Sequence, residues 1–217
     1  MVKDEIIRHF GTASEHVHVI HTGVPASVAD PGARGEARKE LGISEGELMV
    51  FFAGSGWARK GLRYAIEAVN ALKIPAALVV AGKGESRGLP ASKRVKFLGP
   101  LAQTRMRRMF AAADVFVLPT LYDPFSNACL EALAAGLPVI TTSANGFAEI
   151  IERGVEGEVV EPGDSKAITV ALEKWSDPKR RDDIRARLIE NAKKHSVEHN
   201  LARTLEVITA AVTPTGA

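Results

Sequence analysis

Two carboxylates, Asp123 and Glu131, are separated by seven residues in the stretch YDPFSNACLEALAAGLPVI. Glu131 interrupts an otherwise apolar helical run, where a buried carboxylate is costly unless something hydrogen-bonds to it. A carboxylate so placed is suited to accept hydrogen bonds from a vicinal diol such as a ribose. The competing interpretation is that Glu131 pairs with a neighbouring Lys or Arg while Asp123 only caps a turn.

The residues between these carboxylates predict an anion site at the start of a helix. Ser126 is expected to cap the helix, so that the amides of Asn127 and Ala128 point toward any anion placed there. Glu131 lies four residues after Asn127, on the same helix face and one turn further in. Asp123, at the mouth of the turn, would face another part of the ligand, such as further hydroxyls.

A second anion site is indicated by the stretch AGSGWARKG, which follows a strongly apolar strand and opens the next helix. Gly54 and Gly56 permit close backbone approach, and Arg59 with Lys60 places two cations at the helix start. The glycine spacing is not that of the dinucleotide fingerprint, and Gly61 stands where a P-loop needs Ser or Thr. The competing interpretation is a glycine-rich turn with a solvated Arg–Lys pair.

The elements that must position these residues alternate along the chain. Short, continuously apolar runs predict strands that are covered on both faces, at 48–53, 77–81, 95–98, 115–118, 139–141 and 158–160. Periodic segments between most of them predict helices at 62–72, 105–113, 127–135 and 147–152. This alternation predicts an α/β fold with a doubly wound parallel sheet, whose ligands lie beyond the carboxyl ends of the strands.

The two ends of the chain depart from this pattern. Residues 1–31 read as a charged helix, a strand over VHVI and an irregular connection, which we interpret as the end of a preceding domain and an interdomain linker. Residues 32–195 then form the α/β domain, and 196–217 a crossover helix with a frayed TPTGA tail. Three consecutive helices are expected at 164–175, 179–195 and 197–212. We expect the chain to be part of a longer protein.

Composition restricts the functional classes. The 217 residues carry a net charge of +2, which does not demand a nucleic-acid partner. The single cysteine, Cys129, excludes an internal disulfide, fits a reducing compartment and is expected to be an inert core thiol. No apolar run reaches the length of a membrane span, and residues 1–10 are too charged for a signal peptide. These features indicate a cytoplasmic protein.

The motifs in combination resemble the retaining nucleotide-sugar glycosyltransferases of family 4, which have two-domain GT-B architecture. The similar stretches run from VIHTGV, with Thr22 replacing Asn, through RKG, FLGPL and AAADVFVLPT to NGFAEII. The spacing of Asp123 and Glu131 is that of the two glutamates of the family, with Asp replacing the first. The chain thus resembles the C-terminal, nucleotide-sugar-binding half, a Rossmann-like domain, and within the family is most similar to lipopolysaccharide core glucosyltransferases.

The resemblance assigns roles to matching positions in this sequence. It implies that Arg59 and Lys60 hold the donor diphosphate, Glu131 the ribose hydroxyls, Asp123 with the amides of Phe125 and Ser126 the donor sugar, and the amides of Asn127 and Ala128 the phosphates. The glycines Gly54 and Gly56 belong to the same donor site, and the loop around Leu98 would contact the base through its backbone. Asp123, Arg59 and Lys60 would be the catalytic groups.

The implied reaction is transfer of a hexose from a nucleotide sugar, UDP-glucose-like, to a glycan or lipid-linked sugar. Neither a cofactor nor a metal is implied, and the pair His16 and His18 lacks an evident third ligand. The acceptor and any membrane contact at the inner face would belong to the missing N-terminal half, without which transfer is not expected. Two alternatives are a UDP-sugar-binding GT-B epimerase and a non-catalytic nucleotide-binding interaction domain.

Overall fold

The computed structural model describes residues 1–25 and 29–212 and contains one parallel sheet. The strand order is β3-β2-β1-β4-β5-β6. The strands are β1 Leu48–Ala53, β2 Ala76–Ala81, β3 Val95–Gly99, β4 Val115–Leu118, β5 Val139–Thr142 and β6 Gly157–Val160. The order reverses between β1 and β4, which is the topological switch point where open α/β sheets bind ligands. The predicted doubly wound parallel sheet is confirmed.

Helices connect the strands and extend the C-terminus. They are α1 Val2–Phe10, α2 Arg34–Glu40, α3 Leu62–Ala71, α4 Gln103–Ala112, α5 Asn127–Ala134, α6 Ser165–Lys174, α7 Pro178–Lys193 and α8 Val197–Val212. They pack in pairs, α3 with α6, α2 with α4 and α5 with α7. No helix within the described ranges is both long enough and apolar enough to cross a bilayer.

The core follows from the apolar runs, except at the sheet edges. Every residue of β1, β2, β4 and β5 is buried, and Phe51 packs edge-on against Phe110 and Phe116. The outer strands β3 and β6 are mostly half-buried, so the expectation that all strands are covered on both faces is wrong for these two. An edge strand has a neighbour on one side only, and Phe97 of β3 is accordingly exposed.

Two predicted elements differ in the structure. The stretch VHVI was expected to be a strand. Its backbone is extended at Val17, but it pairs with no strand among the described residues and lies outside the six-stranded sheet. The expected helix at 147–152 is instead a 3₁₀ turn, Gly146–Glu149. The side chain of Asn145 accepts a hydrogen bond from the amide of Phe147 at 3.1 Å and closes this tight turn.

The N-terminal segment lies against the C-terminal helices. The amide of Val24 donates to the carbonyl of His195 at 3.0 Å, and the side chain of Asn200 donates to the carbonyl of His21 at 2.7 Å. The three expected C-terminal helices are present as α6, α7 and α8. The TPTGA stretch, residues 213–217, lies outside the described residues.

A buried carboxylate braces the amino end of the central strands. Asp114 accepts hydrogen bonds from the amide of Met49 at 2.8 Å, from Arg34 at 2.7 Å, from Arg38 at 3.1 Å and from Arg181 at 3.3 Å. Burial alone would raise the pKa of Asp114, but these hydrogen bonds and positive charges outweigh burial and lower it. The brace joins β1, β4, α2 and α7, and so fixes the two strands that flank the switch point.

Candidate functional site

The loops that follow β1 and β4 meet at the switch point. The Arg59 guanidinium donates to the carbonyl of Tyr122 at 2.8 Å, and the Thr120 hydroxyl contacts the carbonyl of Arg59 at 3.0 Å. The next pair of residues, Lys60 and Asp123, forms an ion pair. The structure therefore brings together Arg59 and Lys60 of one sequence motif and Asp123 of the other.

The Lys60–Asp123 ion pair is largely buried, with the side chains 14% and 7% exposed. Lys60 binds the Oδ2 atom of Asp123, and no described residue donates a hydrogen bond to the other carboxylate oxygen. Arg59 is exposed beside them and has no acidic partner among the described residues, so the site presents one neutralised and one uncompensated cation. The interpretation of a wholly solvated Arg–Lys pair is wrong for Lys60.

Backbone packing makes glycine necessary at the turn that joins Arg59 and Lys60 to the start of α3. Gly61 has a positive φ of 71°, and a Cβ added there would lie 1.9 Å from the carbonyl oxygen of Pro119, just after β4. Only glycine accommodates both the backbone conformation and this approach. The close contact fixes the Arg59–Lys60 turn against the end of β4.

Gly54 and Gly56 hold the first loop to its neighbour. Their amides donate to the carbonyls of Ala81 at 3.0 Å and Lys83 at 2.8 Å, on and just after β2. A Cβ at Gly82 would lie 2.1 Å from the carbonyl oxygen of Gly54. The close backbone approach expected of this glycine-rich loop is therefore made in part to the protein's own backbone, at the end of β2 and the residues that follow it.

The start of α5 forms as the sequence predicts. Ser126 caps the helix and its hydroxyl accepts from the amide of Cys129 at 3.4 Å. Asn127 is exposed, and its side chain accepts a hydrogen bond from Thr22 at 2.6 Å. Phe125 packs between His21 and Phe147, with ring centroids 5.1 and 6.1 Å away. The loop before α5 is thus fixed by aromatic packing, and the helix start faces outward.

Cys129 lies on the buried side of α5. Burial raises the pKa of its thiol to about 12, so it stays protonated and unreactive. The expectation of an inert core cysteine is confirmed.

Glu131 is half-buried and has neither a hydrogen-bond nor an ion-pair partner among residues 1–25 and 29–212. Burial raises the pKa of its carboxyl. The ion pair offered as a competing interpretation is therefore absent from the described part of the chain. Part of the side chain is exposed, so the burial that the apolar run indicated for this carboxylate is only partial.

Glu131 lines a cavity of about 140 Å³ between α5 and α4. Its other walls are Leu101, Gln103, Met106, Arg107 and Phe110. Leu98, which the resemblance places near the base, lies within β3, as the predicted strand at 95–98 requires, and does not line this cavity. The chain reaches the cavity three residues later, at Leu101, because β3 extends to Gly99.

Neither Gln103 nor Arg107 was predicted from the sequence to be a site residue. Arg107 belongs to a basic run that reads as a solvated helix face, and its neighbours Arg105 and Arg108 do pair with acidic residues of α2. The sequence signal that distinguishes Arg107 from Arg105 and Arg108 is its four-residue spacing from Gln103, which puts Gln103 and Arg107 on one face of α4. The described residues contain no group of three or more His, Cys, Asp or Glu that would hold a metal ion.

Comparison with known sequences gives one family and several relatives. The family described as "Glycosyl transferases group 1" matches residues 33–195. An uncharacterised glycosyltransferase of Methanocaldococcus jannaschii is 32% identical over 215 residues, covering 91% of this chain and 53% of its own. D-inositol 3-phosphate glycosyltransferase 1 of Catenulispora acidiphila is 28% identical, covering 96% and 55%. The chain spans about half the length of these curated relatives.

Solved structures share the fold. Anabaena HepE, solved in complex with UDP-glucose, superposes with a TM-score of 0.85 at 21% identity, covering 96% of this chain and 61% of its own. WaaG, a glycosyltransferase involved in lipopolysaccharide biosynthesis, gives 0.79 at 24% identity, covering 95% and 60%. These similarities concern the fold, whereas the family match spans most of the sequence. The chain belongs to the group 1 family of glycosyl transferases.

Proposed function

We propose that this chain is the donor-binding half of a retaining glycosyltransferase that transfers a hexose from a UDP-linked sugar to a glycan or lipid-linked sugar. The observation that carries the proposal is Glu131, a half-buried carboxylate with no partner among the described residues, one turn behind an outward-facing helix start. A pentose diol would supply the missing hydrogen-bond donors. The complex of the similar HepE fold with UDP-glucose supports a donor of this class.

The diphosphate would lie between the two loops at the switch point. Arg59 is exposed there, and the amides of Asn127 and Ala128 open α5 on the opposite side. Helix amides and fixed cations favour an anion between them. Lys60 has three donors, so it can hold a phosphate oxygen while still bound to Asp123.

The donor sugar would lie at the mouth of the loop before α5. The Asp123 oxygen to which no described residue donates would accept from a sugar hydroxyl, and the amides of Phe125 and Ser126 would donate to the sugar. Asp is one methylene shorter than Glu, and Lys60 holds it within the site. The sugar is therefore expected to approach this carboxylate closely.

The chemistry follows from the charge that develops in the reaction. Cleavage of the sugar–phosphate bond leaves a diphosphate of growing negative charge, which Arg59, Lys60 and the α5 amides would stabilise. We propose that no metal or other cofactor is needed. Retention would result from acceptor attack on the leaving-group side, with a diphosphate oxygen taking the acceptor proton.

The acceptor site would be completed by a part of the protein outside this chain. Helix α8 buries none of its residues and exposes Leu201, Leu205 and Ile208, a stripe suited to contact with another half. We therefore propose that the isolated chain binds donor without transferring sugar. We place the whole protein in the cytoplasm, with any contact to the inner face of the membrane made by the other half.

Calorimetric titration with UDP, UDP-glucose, GDP and ADP tests the proposal. Arg59→Met is expected to weaken UDP binding by about tenfold or more, since a hydrogen bond to a charged group contributes about 1.5–3 kcal/mol. The matched control is Arg63→Met, because Arg63 is exposed nearby but pairs with Glu67 at 2.9 Å. Absence of nucleotide binding, or equal losses in both variants, would contradict the proposed site.

A further inference from the structure

The cavity beside Glu131 has two chemically different walls. Glu131 lies on α5, and the facing wall is built by α4 and the residues before it. At about 140 Å³ the cavity is smaller than the ~300–1,000 Å³ of typical small-molecule sites, so it suits one part of a ligand. If Glu131 takes the pentose, as the proposed function requires, the base attached to that pentose lies against the α4 wall.

The α4 wall offers one group that both donates and accepts hydrogen bonds. Leu101, Met106 and Phe110 are apolar, and Arg107 only donates. Gln103 is exposed at the first position of α4, and its side-chain amide has no partner among the described residues. An amide presents a carbonyl acceptor beside an NH₂ donor, which matches a base edge with adjacent N–H and C=O groups.

We propose that Gln103 sets the base specificity of this site, with its amide donating to O4 and accepting from N3–H of a uracil. This inference rests on the proposed function, because it takes Glu131 as the pentose ligand. A guanine would present the same pair of groups plus an additional N2–H₂ donor, which a single amide leaves unmatched. A carboxylate at this position would reverse the preference, since it accepts from both N1–H and N2–H₂ of guanine but repels O4 of uracil.

The test is Gln103→Glu, with dissociation constants measured for UDP and GDP by calorimetry. Thr104→Glu is the charge-matched control, because Thr104 is exposed next to Gln103 on α4 and does not line the cavity. We expect the unmodified chain to prefer UDP. The UDP-to-GDP affinity ratio should shift toward GDP by about tenfold or more in Gln103→Glu, in the range of a bidentate base contact, and stay unchanged in Thr104→Glu.

The outcomes separate this inference from the proposed function. If the unmodified chain binds UDP and Gln103→Glu leaves the ratio within about twofold, the assignment of Gln103 is overturned while the donor site stands. A preference of the unmodified chain for GDP, or an equal shift in the Thr104→Glu control, also overturns it. Failure of the unmodified chain to bind either nucleotide rejects the proposed function, and this inference with it.

Discussion

Substitutions of Glu131 separate two effects of this carboxylate, its effect on the stability of the fold and its contribution to the affinity for a ligand. The side chain is half-buried with no partner among the described residues, and burial raises its pKa. A raised carboxyl pKa means that folding disfavours the ionised form. Glu131→Gln keeps the shape and removes the charge, so we expect the variant to be at least as stable as the original chain at neutral pH.

The stability difference has a defined dependence on pH. A carboxyl whose pKa is raised on folding contributes stability that is fully present below the unfolded pKa and is lost as the pH rises through the folded pKa. The two chains should therefore be equally stable below about pH 4, where this carboxyl is protonated in both states. The advantage of Glu131→Gln should appear as the pH rises above that value. Urea denaturation between pH 3 and pH 8 measures it.

Donor binding should change in the opposite direction. Neither carboxylate oxygen of Glu131 has a partner in the part of the chain that the structure describes, and a hydrogen bond to a charged group contributes about 1.5–3 kcal/mol. Loss of both bonds in Glu131→Ala is expected to weaken UDP binding by about 100-fold or more, whereas Glu131→Gln, which retains one acceptor, should weaken it by about tenfold or more. Glu173→Gln, an exposed change on α6, serves as the control and should alter neither property.

Two results would refute this reasoning. An unchanged UDP affinity in Glu131→Ala would show that the carboxylate does not face the nucleotide. A clear loss of stability in Glu131→Gln would show that the charge has a structural partner, as the competing interpretation held. The combination of gained stability and lost binding is specific to a ligand-facing carboxylate.

Three further predictions concern the scaffold. Asp114→Ala leaves the arginines of the brace without their carboxylate and should lower the free energy of unfolding, measured by urea denaturation, by about 3–5 kcal/mol. Because folding lowers the pKa of Asp114, the stability that this carboxylate contributes is present above about pH 4 and is lost as the pH falls through the folded pKa. Gly61→Ala should lower the melting temperature far more than Gly56→Ala, since both have positive φ but only the first meets a backbone oxygen at 1.9 Å. Cys129 should react with a thiol reagent at pH 8 only after unfolding, as its pKa is about 12.

The sheet was predictable because each of its central strands can be recognised from its own run of residues. Apolar runs such as that of Leu48–Ala53 have no polar position to face water, so they must be covered. The edge position of β3 was not predictable, because strand order depends on crossovers and not on the run itself. The stretch VHVI shows the same limit, since alternation favours an extended chain without supplying a partner strand.

The site was predictable where backbone chemistry fixes it. Ser126 caps α5 and Gly61 turns the chain after Lys60, and both signals are local. The contact between Lys60 and Asp123 joins residues far apart in sequence, so only the fold reveals it. Gln103 was missed because the spacing within α4 places it on one helix face with Arg107 but does not report that Glu131 lines the cavity beside that face.

The Lys60–Asp123 pair also determines which cation gives a clean test of anion binding. Removing Lys60 would leave a carboxylate that is 7% exposed without its counter-charge, and breaking a buried pair in this way typically costs about 3–5 kcal/mol. Loss of nucleotide binding in such a variant would therefore not distinguish a destabilised fold from a lost contact to the anion. Arg59 is exposed and, among the described residues, donates to the carbonyl of Tyr122 alone, so its removal leaves no described carboxylate without its counter-charge. The two neighbouring cations therefore differ in what their substitution can show, and Arg59 gives the cleaner test of the proposed diphosphate contact.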